Sequence, residues 1–383
     1  MAGIRQRPPA SGTKLHLDDR LSAMLVRAEA AVSEPFVGVR TSEGIRGGSY
    51  TLFPTGVPTA PITEAAVSFL DGLDPARRAL ASFPLEDDAW RRWSNIHRFV
   101  MRHGIGLGEC SEEERDRALR VLAASLSEDG FREARDVMRL NGTLGELTGL
   151  SDEFGEWLYW VSVFGSPSKD EPWGFQFDGH HLIVNCLVIG DQVVMTPYFL
   201  GSEPVEADSG AHRGTRVLEA EETAAITLMA ALSPSERKKA VVAEELPREL
   251  FTIAFSDNAV LEYTGVCYDD LGPAARTALL DLVGRYVARM RPGHAAVKMA
   301  EIEAHLSDTW FAWMGGTEPD GVFYYRVQSP VVLIEFDHQA GVVFDNDEPS
   351  RRHIHTVMRT PNGNDYGKDL LRLHYAQFDH AAR

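Results

Sequence analysis

Histidines are the residues of this sequence whose type and placement best suit a chemical site. Of the 13 histidines, five lie between residues 338 and 380, and an adjacent pair, His180 and His181, lies in an earlier segment rich in aromatic and β-branched residues. Imidazole is the commonest metal ligand in proteins, and it titrates near neutral pH. The clustering therefore indicates a metal or acid–base site assembled from two distant parts of the chain.

The motif His353-Ile-His355 lies in a segment whose composition predicts a strand. Residues i and i+2 of a strand face the same side, so both imidazoles can reach one ion, at about 2.0–2.1 Å for zinc. Two histidines on a solvent-exposed face would give the same motif. The apolar residues around this motif and the polar residues after it favour a site.

The adjacent pair His180 and His181 is also predicted to lie in a strand, in which neighbouring side chains point to opposite faces. His181 then shares its face with Asn185, and this polar face makes it the preferred ligand or base, with His180 second. The alternative is that one histidine is a hydrogen-bonded core residue and the other is exposed.

A carboxylate is expected near these histidines as a possible fourth ligand. Glu335 ends an apolar run and shares its strand face with Asp337. Two histidines with one carboxylate form the set used by non-haem iron oxygenases, whereas three histidines, or two with a carboxylate, also form a hydrolytic zinc set. The three cysteines are far apart and form no CxxC pair. The expected cofactor is therefore a divalent transition metal, Fe, Cu, Mn or Zn, held without thiolates.

Arg359 lies on the same predicted strand face as both histidines of the motif and precedes a polar turn that contains Asp365. A guanidinium binds carboxylate or phosphate through two parallel hydrogen bonds, so Arg359 is predicted to orient an anionic group of a substrate. Asp365 or His180 is predicted to move protons. In the alternative interpretation, Arg359 pairs with Asp365 and the segment is an ordinary strand–turn–helix corner.

The secondary-structure elements that must position these residues divide the chain into regions of different composition. Residues 1–14 are predicted to be a disordered tail, residues 15–150 a mainly helical region, and residues 151–383 a mixed region that carries the site. One compact unit formed by both regions is also compatible with the pattern. Because strand and helix blocks are segregated, the predicted class is α+β, with a helical N-terminal layer packed on a largely antiparallel sheet built from 157–200 and 320–360.

The composition limits the classes of partner. With 38 Lys and Arg against 56 Asp and Glu, the net charge is −18, which disfavours nucleic acid and anionic membranes. No apolar run reaches the ~18 residues that a membrane helix needs, and no secretory signal is recognisable. The expected partner is a small molecule and the expected compartment is the cytoplasm; the oligomeric state stays open. Standard phosphate-binding, HExxH and GxSxG motifs are absent.

Three segments share a family pattern: WGFQFDGHHL at 173–182, VVMTPYFLGSEP at 193–204 and HIHTVMRTPNGNDYG at 353–367. They resemble a large family of bacterial and fungal proteins designated domain of unknown function three thousand five hundred. The resemblance extends roughly from Trp90 to the C-terminal helix, and the GHHL and HxH…NDYG pieces are its most specific parts. It implies that the two histidine segments occur together, and it implies no reaction.

These observations predict a mononuclear metal-dependent enzyme that acts on a small polar or anionic molecule, with His181, His353 and His355 as ligands. Oxygen-dependent oxidation is favoured, because a histidine-dominated site with few acids suits one redox ion better than a paired hydrolytic centre. A zinc hydrolase with the same ligands is one alternative, and a non-catalytic binding protein with structural histidines is another. Side chains more than about 10 Å apart would exclude a shared ion, since metal–nitrogen bonds measure about 2 Å.

Overall fold

The fold is known from a computed structural model, which describes residues 3–5, 19–96 and 102–377. Most of the tail predicted to be disordered, residues 1–14, lies outside these ranges. Within them, Ile4 forms an isolated antiparallel bridge with Phe344, so the short stretch 3–5 is tied to the C-terminal part of the chain.

The described part of the chain contains ten α-helices, and two of them begin at a capping box. Ser111 and Glu114 form a reciprocal capping box, as do Ser233 and Glu236, and each satisfies backbone N–H groups that a helix start leaves free. None of the described helices combines the length and apolar character needed to span a bilayer. The helices are α1 Asp19–Ser33, α2 Ala60–Asp71, α3 Pro75–Ala81, α4 Glu112–Ser125, α5 Glu128–Thr148, α6 Glu219–Ala231, α7 Pro234–Ala240, α8 Pro273–Val287, α9 Pro292–Glu303 and α10 Lys368–Gln377.

Thirteen strands of the described residues join one sheet. They are β1 Ser82–Phe83, β2 Ile105–Gly106, β3 Tyr159–Phe164, β4 Trp173–Gly179, β5 Leu182–Ile189, β6 Gln192–Val194, β7 Tyr198–Ser202, β8 Val241–Ala243, β9 Val266–Cys267, β10 Trp310–Gly315, β11 Phe323–Gln328, β12 Leu333–Gln339 and β13 Ser350–Arg359. The strand order is β1-β3-β4-β5-β7-β13-β12-β11-β10-β8, with β2, β6 and β9 beside β3, β5 and β10. Only the β1–β3 and β8–β10 pairs are parallel, so the predicted α+β class with a largely antiparallel sheet is confirmed.

The centre of the sheet is covered on both faces. Every residue of β4, β5, β7 and β12 is buried, which explains why β5 is a nearly continuous apolar run rather than an alternating one. Helix α5 packs against β5 and β7. Polar side chains on these central strands are therefore withdrawn from solvent and must find partners within the protein.

The pairing of β7 with β13 joins the two halves of the sheet. Strands β1 to β7 lie on one side of this junction, and β8 to β13 lie on the other. In the junction, Gly201 of β7 lies opposite His355 of β13. The turn between β4 and β5 consists of His180 and His181, and it lies at the end of the same junction because the backbone N–H of Gly201 donates to the carbonyl oxygen of His181, at 2.8 Å.

Candidate metal centre

The three histidines predicted as ligands converge. The Nε2 atom of His355 lies 3.1 Å from Nε2 of His181 and 3.0 Å from Nε2 of His353. One ring nitrogen of each of the three lies within 4.8 Å of the others, and all three residues are buried. These distances are far below the separation of about 10 Å that would exclude a shared ion.

His181 reaches the group from a turn, so its predicted place within a strand is wrong. It has a positive φ of 64°, a backbone conformation that is uncommon outside glycine and belongs to tight turns. A β-hairpin turn of two residues ends the alternation of side chains. Both histidines of the pair therefore point toward the same part of the sheet, and their rings stack with centroids 3.8 Å apart.

His353 and His355 behave as their spacing predicts, because both lie on one face of β13 and their Nε2 atoms meet. A glycine makes room for them. A Cβ atom on Gly201 would lie 3.0 Å from Cδ2 of His355, 3.2 Å from Cδ2 of His181 and 2.7 Å from the carbonyl oxygen of Ile354. A side chain at this position would come too close to the backbone of Ile354 and would press on two of the three imidazoles.

The outer nitrogens of His353 and His355 fix the tautomers of both rings. Nδ1 of His353 lies 2.8 Å from the carbonyl oxygen of Ala340, and Nδ1 of His355 lies 2.9 Å from a carboxylate oxygen of Glu249. Because these oxygens accept hydrogen bonds, each Nδ1 carries its hydrogen, and each neutral ring presents a lone pair at Nε2. Two lone pairs thus face one another at 3.0 Å. His181 can add at most one hydrogen to this cluster.

Burial favours the neutral form of His353. The pKa of His353 lies well below its usual value, first because burial disfavours the charged ring and second because His355 lies beside it. A neutral imidazole is the form that coordinates a metal. Nitrogen ligands at 2.0–2.1 Å in tetrahedral arrangement stand roughly 3.3 Å apart, which is close to the separations found here. The three histidines together could thus hold a metal ion.

His180, predicted as a second-choice ligand or proton carrier, lies behind His181 rather than in the cluster of Nε2 atoms. Its Nδ1 is 2.8 Å from Oδ1 of Asn141, on helix α5, and its ring stacks on that of His181. This arrangement holds the ring of His180 between helix α5 and His181. His180 therefore packs behind the cluster and supports the ring of His181.

Glu335, predicted as a possible fourth ligand, is not brought into the group. Its carboxylate accepts hydrogen bonds from the backbone N–H groups of Phe251 and Thr252, the hydroxyl of Thr252 and the hydroxyl of Tyr324. These contacts anchor the loop before β9 to β12. The carboxylate that does lie beside the histidines belongs to Asp337, which is opposite His355 in the β12–β13 register.

Arg359 and Asp365 form a structural pair, so the predicted roles in anion binding and proton transfer are corrected. Both are completely buried. The guanidinium donates to Asp365 at 2.9 Å and to the backbone carbonyls of Thr252 and Ile253, and it lies over the ring of Trp93. The backbone N–H of Thr360 donates to the same carboxylate. This pair locks the strand–turn–helix corner, as the alternative interpretation proposed.

Two carboxylates near the histidines were missed in the sequence. Glu249 follows β8 in an irregular loop, where no periodicity marks it, and Glu203 is the residue directly after β7. Glu203 accepts hydrogen bonds from three successive backbone N–H groups, residues 342–344, and lies 3.9 Å from Nδ1 of His353. These acids are distant from the histidines in sequence and lie near them only in the folded chain.

A family model described as "Protein of unknown function (DUF3500)" matches residues 55–368. The chain belongs to this family. The matched range contains all three histidines of the cluster as well as Glu203, Glu249 and Asp337, so the DUF3500 region holds the complete candidate site. No curated protein and no solved structure shows a significant match to the chain.

Proposed function

We propose that this protein is a mononuclear metal-dependent enzyme whose ion is bound by Nε2 of His181, His353 and His355. The observation that carries the proposal is the convergence of Nε2 lone pairs from two rings whose Nδ1 hydrogens are already used. Facing lone pairs repel one another, whereas a cation between them turns the same geometry into coordination. Hydrogen bonds that fix the outer nitrogen of a ligand are the usual partners of histidines at metal sites.

Oxygen-dependent oxidation is the reaction that we favour. Three neutral imidazoles leave the full charge of a divalent ion uncompensated by its ligands, and imidazole suits Fe, Cu, Mn and Zn alike. When bound, a redox-active ion of this kind supplies one-electron chemistry with dioxygen. The protein holds the ligands in buried positions that exclude bulk water. Glu249, whose side chain is 38% exposed, connects His355 to solvent.

The substrate that we propose is small and polar, and the predicted anionic group is no longer part of the proposal. Arg359 is fully engaged elsewhere, and the acids Glu203, Glu249 and Asp337 surround the histidines. Among the ion pairs of the described residues, none brings Lys or Arg to these three acids. An anion would therefore approach a negative field, whereas a neutral or cationic molecule would not.

A zinc-dependent hydrolase with the same ligands is the second candidate. The observation in its favour is the group formed by Glu249, Asp337 and His355, because a carboxylate beside a metal-bound water serves as a general base in hydrolytic zinc sites. The two candidates share the metal centre and differ in the ion that occupies it.

Metal analysis of protein purified without added metal tests the proposal. We expect at least about one equivalent of Fe, Cu, Mn or Zn in the wild type, and a loss of the ion at this centre in His353→Ala. Iron or copper, with oxygen uptake in the presence of small amines, alcohols or amino acids, supports oxidation. Zinc, with turnover of ester or amide substrates, supports hydrolysis. Protein that binds no transition metal even after incubation with excess ion would refute both and favour structural histidines.

A further inference from the structure

Asp337 is a buried acid that the proposed mononuclear centre does not use. It has no exposed surface and lies on β12 directly opposite His355 of β13, so the two side chains share one face of the sheet. Its Oδ2 accepts a hydrogen bond from Gln339. Within the described part of the chain, its Oδ1 has no hydrogen-bond partner, although buried polar atoms normally have one.

Glu249 brings a second acid to the same place. One oxygen from Glu249, one from Asp337 and one ring nitrogen of His355 all lie within 4.8 Å of one another. The Nδ1 of His355 is the nitrogen on this side, at 2.9 Å from Glu249. The amide of Gln339 lies 3.4 Å from Glu249 and also donates to Asp337, so a single side-chain amide is shared between two carboxyl groups.

The charges of this group are not balanced by the protein. No Lys or Arg of the described residues forms an ion pair with Glu249, Asp337 or the nearby Glu335. A buried carboxylate normally pairs with a cation or coordinates a metal. The group thus lacks one positive partner.

We propose that Glu249, Asp337 and Nδ1 of His355 form a second divalent-cation site, so that the imidazole of His355 bridges two ions. The inference rests on the proposed function, because the first ion is the one held by Nε2 of His355 with His181 and His353. The second site offers one nitrogen and two carboxylate oxygens, a set that suits Zn(II) or Cu(II) better than Ca(II) or Mg(II).

Binding of the second ion displaces one proton. In the absence of this ion, Nδ1 of His355 donates its hydrogen to Glu249. When the ion binds, this hydrogen leaves as H⁺ to solvent, and the ring becomes an imidazolate that donates one electron pair to each ion. Asp337 supplies the unpartnered Oδ1. No electron changes hands. The two divalent ions together outweigh the negative charges of the two carboxylates and of the anionic ring that bridges them.

The test is the stoichiometry and magnetic state of copper in the full-length chain. Protein stripped with a chelator and dialysed against excess Cu(II) is expected to hold two ions, and Asp337→Asn is expected to hold one. Glu262→Gln, at an exposed acid between β8 and β9 that accepts a hydrogen bond from the backbone of Ser42, serves as the control and should still hold two. Two Cu(II) ions joined by an imidazolate couple antiferromagnetically, so the wild type should lose most of the EPR intensity expected from its copper content. Asp337→Asn should regain the signal of one isolated ion.

The possible outcomes separate the two proposals. One ion with a full EPR signal in the wild type would overturn the second site and leave the first intact. Two ions with a full, uncoupled signal would overturn the bridge. No bound copper at all would refute the proposed function itself. The wild-type measurement decides the bridge even if Asp337→Asn does not fold. In that case, the release of one proton when the second equivalent of Zn(II) binds, followed in unbuffered solution, checks the imidazolate.

Discussion

The Nε2 atoms of His353 and His355 face one another at 3.0 Å, while each ring has already given its Nδ1 hydrogen to an oxygen acceptor. Alternation along β13 places both rings on one side, and the β12–β13 and β7–β13 pairings hold them there. In this arrangement, a lone pair on each ring is aimed at the same point. A positive ion at that point removes the repulsion.

Replacing His353 by alanine should remove most of the bound metal. Only the imidazoles of His181 and His355 then remain, and two ligands coordinate the ion incompletely. His305, a half-buried histidine at the end of α9 whose Nδ1 lies 2.9 Å from the carbonyl oxygen of Glu301, provides a control. His305→Ala should keep its full metal content. Elemental analysis of both variants, purified side by side, makes the comparison; equal metal loss would contradict the ligand assignment.

Metal should stabilise the folded chain. An ion that binds only the folded state, present at about 100 times its dissociation constant, adds about 2.7 kcal/mol to the free energy of unfolding. Urea denaturation of the stripped wild type with and without Zn(II) measures this gain. The same addition should leave His353→Ala almost unchanged. A similar gain in both proteins would mean that zinc acts at another place.

Alanine at position 201 should weaken metal binding without any change to a ligand. The added methyl group would meet the rings of His181 and His355 and the backbone of Ile354, and overpacking of this kind costs about 1–3 kcal/mol. Displaced imidazoles would lower the metal affinity by about tenfold to a hundredfold. Gly284→Ala is the control, because a Cβ there meets no atom within 4 Å. Titration with a competing chelator measures both affinities.

His180 should matter through its ring rather than its nitrogens. Removal of the stacked ring in His180→Ala frees His181 to rotate, and we expect a loss of metal affinity of about tenfold, the lower end for changes in groups that orient a ligand. His180→Phe retains an aromatic face and should recover most of the affinity. Failure of phenylalanine to do better than alanine would instead point to the His180–Asn141 hydrogen bond as the important contact.

Lysine at position 359 should destabilise the fold and leave the metal in place. Lysine keeps the positive charge, but it cannot reproduce the planar set of donors to Asp365, Thr252 and Ile253. The expected loss is about 1–3 kcal/mol in the free energy of unfolding. Arg372→Lys changes an exposed pair with Asp369 and should shift the free energy by less than about 0.5 kcal/mol. Unchanged stability of Arg359→Lys would contradict the structural role.

Local patterns predict part of the site, and long-range pairing supplies the rest. The i, i+2 spacing of His353 and His355 is visible in the sequence because a strand imposes it. The sequence correctly predicts that His181 joins His353 and His355. The geometric reason does not hold, because His181 lies in a two-residue turn and not in a strand. The sequence does not reveal that turn, because neither central residue is the Asn or Gly that usually marks one.

The acids near the histidines show which parts of the site cannot be predicted from local sequence patterns. Glu335 and Asp337 share a face, and choosing between them requires the β12–β13 register, which sequence periodicity does not determine. Glu249 and Thr252 lie in an irregular loop, so their meetings with His355 and Glu335 depend on the path of the whole chain. Arg359 is on the predicted face, but its partners come from that same loop. The α+β class, by contrast, follows from the segregation of strand and helix blocks alone.

The pairing of β7 with β13 determines when the histidine cluster can form during synthesis on the ribosome. His181 and His355 are separated by 174 residues, and contacts of such long range form late in folding. Both β7 and β13 must be synthesised before the two halves of the sheet can meet there. A nascent chain that lacks β13 thus contains His181 without the buried cluster, and under the proposed function only a molecule that has completed this pairing acquires the ion.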